Sequence, residues 1–82
     1  MRYGGNDNYG HPKQDYIDKL QSSDDFQLSK ACGRMIWLSA YADNNPLSDY
    51  HWQCDACYDE CIRRDKGFIY DQEHHRITAS LS

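Results

Sequence analysis

The sequence predicts a mainly α-helical fold, a small three-helix domain closed by a short C-terminal β-hairpin, and three observations carry that expectation. Apolar residues recur every three or four positions through two long segments, Pro, Asp, Ser and Asn punctuate the ends of those segments, and two strand-like runs follow Gly67. A chain of 82 residues has room for one core, so a single domain is expected over residues 12–82 behind a flexible arm at 1–11.

The arm is rich in glycine and asparagine and shows no periodic face. Pro12 suits the first position of a helix, and Tyr16, Ile17 and Leu20 then share one side through Gln21. Ser22, followed three residues later by Asp25, resembles a capping box. The stripe Leu28, Ala31, Cys32, Met35, Leu38 and Ala42 predicts a second helix over residues 24–41. It stops at Asp43-Asn44-Asn45-Pro46, where Asn45 can cap and Pro46 can open a third helix over residues 46–65, antiparallel to the second.

In that third helix Leu47, Tyr50, Cys54, Cys57 and Cys61 have the spacing of a packed seam, which puts the cysteines at core positions. Asp59 with Arg63, and Glu60 with Arg64, are acid-before-base pairs four apart that suit the outer face, and Gly67 suits the terminator. Beyond it, Phe68-Ile69-Tyr70 and Arg76-Ile77-Thr78 predict the hairpin. A final helical turn with a frayed tail is the alternative, because residues 71–75 hold no glycine and no hairpin turn signal.

Five Leu, five Ile, two Phe and no Val make a thin aliphatic core, which seven Tyr and two Trp partly offset. Such small domains commonly need a metal, a disulfide or a partner. A net charge of −4 with scattered bases argues against direct nucleic-acid binding. No apolar run has the length of a signal peptide core or a membrane span, so a cytoplasmic setting with reduced cysteines is expected.

Cys54-x2-Cys57-x3-Cys61, with Cys32 one helix away, is the arrangement closest to a chemical site. Zinc takes four thiolates or imidazoles at about 2.0–2.3 Å and would add folding energy. Cys54 and Cys61 lie seven residues apart, however, roughly 10 Å along a continuous helix, and no turn glycine makes a knuckle. Core thiols without a cofactor are therefore the expectation, with a zinc-stabilised domain on Cys32, Cys54, Cys57 and Cys61 as the alternative. Asp55 inside the Cys-x2-Cys pair opposes a reactive thiolate, and the spacing differs from iron–sulfur patterns.

His51 lies one turn before Cys54 without an oxyanion loop, and adjacent His74 and His75 would face opposite sides of a strand. With no phosphate loop, dinucleotide fingerprint or zinc-protease motif, no enzyme is expected. Acids on the second and third helices, interleaved with rings such as Tyr3, Tyr9, Trp37, Trp52 and Tyr41, instead suit a docking face for a larger protein with a basic surface. The expected function is an acidic protein-binding module, an inhibitor or adaptor, using Asp55, Asp59, Glu60, Trp52 and Tyr41. A phage or mobile-element protein that blocks a host nucleic-acid-handling complex fits that class.

Overall fold

A computed structural model describes residues 4–81 and shows four helices: α1 at Lys13–Ser22, α2 at Asp25–Tyr41, α3 at Asp49–Arg63 and α4 at Gly67–Leu81. The mainly helical expectation holds, but the helix count rises by one and the hairpin is replaced by α4. Ile69, Tyr70, Glu73 and Ile77 fall on one side of a helix, and Ile69 and Ile77 are buried. Packing of that stripe overrides the local strand propensity of Phe68-Ile69-Tyr70.

Each helix end has an identifiable cause. Asp24, not Ser22, caps α2: its side chain accepts from the Gln27 amide at 2.7 Å, and the Gln27 side chain accepts from the Asp24 amide at 3.1 Å. At α3 the expected cap moves from Asn45 to Ser48, whose hydroxyl accepts from the Tyr50 amide at 3.2 Å. Asn45 instead folds a turn, accepting from the Leu47 amide at 3.2 Å. That turn throws Leu47 outward, so it is 80% exposed and absent from the seam.

Gly67 does not terminate α3. The terminator is Asp65, the single described non-glycine residue with a left-handed backbone, φ 58°. The Lys66 amide donates to the Cys61 carbonyl at 2.8 Å and the Asp65 amide to the Ile62 carbonyl at 2.9 Å, the paired bonds of a Schellman end. Gly67 is the first residue of α4.

Helix α2 packs against both α3 and α4, and α1 lies on α3. Leu28, Cys32, Cys57 and Cys61 are the fully buried centre. Cysteine supplies four of the eleven buried apolar side chains among the described residues, so thiols fill volume that aliphatic residues fill elsewhere. Residues 5–13 form a closed turn over α1 and the start of α3: Lys13 donates its amide to the Gly5 carbonyl, and the Asn8 amide reaches the Asp49 carboxylate at 3.2 Å.

Candidate functional site

All four thiols are buried and free. Cys32 and Cys61 touch, Sγ to Sγ 3.6 Å, Cys57 meets the Tyr16 hydroxyl at 3.6 Å, and Cys54 meets the Tyr70 hydroxyl at 3.3 Å. The neighbouring Cys57 thiol and burial drive Cys32 far above the usual thiol range, and the Cys32 thiol in turn lowers Cys57. Burial raises Cys54 and Cys61, and it raises the Tyr16 and Tyr70 hydroxyls as well. Among the described residues, no group of three or more His, Cys, Asp or Glu is arranged to hold a metal ion.

His51 is occupied structurally. Its Nε2 donates to the carbonyls of Ala42 and Asn45 at 3.1 and 2.9 Å, which leaves Nδ1 to accept from the Ser39 hydroxyl at 2.8 Å. This ring staples the α2–α3 link. His74 and His75 are exposed on α4, with His74 stacked against Tyr70 at 6.0 Å.

The five residues expected to form one docking face occupy different settings. Asp55 is exposed on the outer side of α3, and Asp59 is half-buried beside Ile17 of α1. Glu60 is not on the outer face: it is 5% exposed, and Arg63 and Arg64 both bind it. Those two guanidiniums hold its carboxyl below the usual carboxylate range despite burial. Arg63 thus serves Glu60, three residues before it.

Trp52 is half-buried between α1 and α3. Its ring meets Tyr16 edge-on with centroids 5.5 Å apart, Lys13 lies over it at 5.2 Å, and its Nε1 donates to Asp49 at 2.9 Å. Tyr41, by contrast, is 77% exposed and stacked on Trp37, with centroids 5.5 Å apart and planes 9° from parallel. Phe26 lies on the same outward side of α2, 68% exposed with the Lys30 ammonium 4.9 Å above its ring. The sequence signal for this stripe is the spacing Phe26, Lys30, Trp37, Tyr41 opposite Leu28 and Cys32. Tyr9 is exposed in the N-terminal turn, and Tyr3 lies outside the described residues.

A half-open cleft of about 700 Å³ lies between α1, α2 and α3. Leu20, Ala31 and Met35 contribute its apolar lining, and Tyr16 and Tyr50 flank it. Its charge is the unexpected feature, because Lys19, Lys30 and Arg34 line it and no Asp or Glu does. Elsewhere among the described residues, Arg63, Arg64, Lys66 and Arg76 pair with carboxylates, and Lys13 sits on Trp52. In an acidic chain, three of the described Lys and Arg side chains, none of them paired with a carboxylate, therefore share one cleft, with the Lys30 ammonium also lying over the Phe26 ring. Lys30 and Arg34 are one turn apart, and like charges so placed oppose the helix by about 0.2–0.5 kcal/mol.

The chain matches no family model, no curated protein and no solved structure.

Proposed function

We propose that the protein is a non-enzymatic binding module, an inhibitor or adaptor, that docks on a basic surface of a larger protein through the outer face of α2. It works in the cytoplasm, where its buried thiols stay reduced. The observation that supports this reading is the Trp37–Tyr41 stack. Two large rings lie parallel on the surface instead of entering a core short of aliphatic volume. Rings so displayed are the residue types that anchor interfaces, and they bring little flexibility to lose on binding.

The chemistry of the partner follows from the same face. Phe26 already carries the Lys30 ammonium, so these rings accept cations, and the Trp37 and Tyr41 faces offer the same to a partner's Arg or Lys. Exposed Asp43 lies two residues beyond Tyr41, and the net charge of −4 favours encounter with a positive surface.

The test is quantitative capture by the wild-type protein, by Trp37→Ala/Tyr41→Ala, and by Gln72→Ala on α4 as a surface control. One stoichiometric partner should be retained by the wild type and the control, released by rising salt, and weakened at least about tenfold by the double substitution. Equal capture by the double variant removes the α2 face from the interface.

A further inference from the structure

We propose that the cleft between α1, α2 and α3 is a binding site for a small, multiply charged phosphate ester. Lys19 reaches it from α1, and Lys30 and Arg34 from successive turns of α2. No carboxylate lines it, and none pairs with these three cations among the described residues. Three cations without a carboxylate partner at one concavity, Lys30 among them resting over Phe26, match a ligand with two or more negative charges better than a single carboxylate. An Arg fork binds a phosphate in two places, and two ammonium groups add point charges.

Neutral groups complete the site. Gln27 lines the cleft, and its side-chain oxygen is engaged by the Asp24 amide, which leaves the side-chain nitrogen as a donor. Met35 and the half-exposed ring of Tyr50 give the organic part of the ester an apolar surface. The volume, about 700 Å³, is of the size that encloses small ligands. A bound anion also relieves the repulsion between Lys30 and Arg34. Neither Trp37 nor Tyr41 lines the cleft, so substitutions at Lys19 and at Trp37 test the two readings separately, although Lys30 borders both surfaces.

Amide and side-chain NMR of the full chain at about 0.1 M salt, titrated with orthophosphate, inorganic pyrophosphate and ATP, tests the proposal. Saturable shifts should centre on Lys19, Gln27, Ala31 and Arg34, with ATP and pyrophosphate binding more tightly than orthophosphate. Lys19→Ala and Arg34→Gln should each weaken ATP binding about tenfold, Arg34→Lys should weaken it less, and Trp37→Ala should leave it unchanged. Shifts that stay unsaturated at about 10 mM ligand, that spread over all surface cations, or that persist in both cleft variants would overturn it. So would a glutamate-rich peptide that fills the cleft and is not displaced by ATP, which would make the site a protein-docking groove.

Discussion

Arg64 ties the buried Glu60 to the α1–α2 link: its Nε donates to the Glu60 carboxylate at 2.6 Å, and its Nη2 donates to the Leu20 and Ser23 carbonyls at 2.8 Å each. The Glu60 side chain is 4% exposed and that of Arg64 13%, so this pair is a structural bolt. Glu60→Ala leaves Arg64 without its main counter-charge at a largely dry site, a loss of about 3 kcal/mol. Urea unfolding checks this, and a change within about 1 kcal/mol would mean that water replaces the carboxylate at little cost.

The same carboxylate gives an acid signature. Arg63 and Arg64 depress its folded pKa below the unfolded value of about 4.3, so the unfolded chain binds more protons in the interval between them. The stabilisation is present above about pH 4.3 and disappears as pH falls through the folded pKa. Asp25, lowered by Lys66 and Arg64, acts in the same direction but is solvent-exposed and contributes less. Thermal melts of Glu60→Gln between about pH 2 and 7 should show a flatter profile than the wild type. Parallel profiles would assign the acid sensitivity to other groups.

Asp65 holds a left-handed backbone that costs an ordinary L-residue roughly 1–2 kcal/mol. Asp65→Gly should therefore raise stability by up to about 1 kcal/mol, since the helix-ending bonds use backbone atoms alone. A destabilised glycine variant would show that the Asp65 side chain makes a stronger contribution than its backbone strain removes.

The thiols should resist aromatic disulfide reagents at neutral pH until the protein unfolds, because all four are buried and Cys32, Cys54 and Cys61 are held protonated. Their raised pKa values leave stability intact below the unfolded thiol pKa, about 8.5, and erode it as pH rises beyond that. Under the core-thiol reading, circular dichroism is unchanged by a strong chelator. Rapid native labelling of one cysteine, or loss of helicity on chelation, would replace that reading with a reactive or metal-binding one.

Helices α1 to α3 were legible because 3.6-residue periodicity and cap residues agree over long stretches. Their misplaced details share one cause. An acid and a base four apart reveal a helical pair, but not whether it faces water, and Glu60 with Arg64 turned inward while Ile62, 52% exposed, turned outward. The strand expectation for residues 68–78 failed because Ile69 and Ile77 gain more from burial than local propensity dictates. Lys19, Lys30 and Arg34 read as scattered bases along the chain, and only the packing of α1 beside α2 and α3 gathers them. Of the rings expected as docking anchors, Trp37 and Tyr41 stack on the surface of α2, whereas Trp52 is taken up against Tyr16 of α1.

Site-specific photocrosslinking in the protein's own cell tests the central claim most directly, with the probe placed in turn at Trp37, Tyr41, Gln53 and Asp55. The docking account predicts one dominant protein adduct from positions 37 and 41, reduced by salt and weak from position 53 in the cleft. An adduct that forms from position 53 or 55 and is absent from 37 and 41 would contradict it.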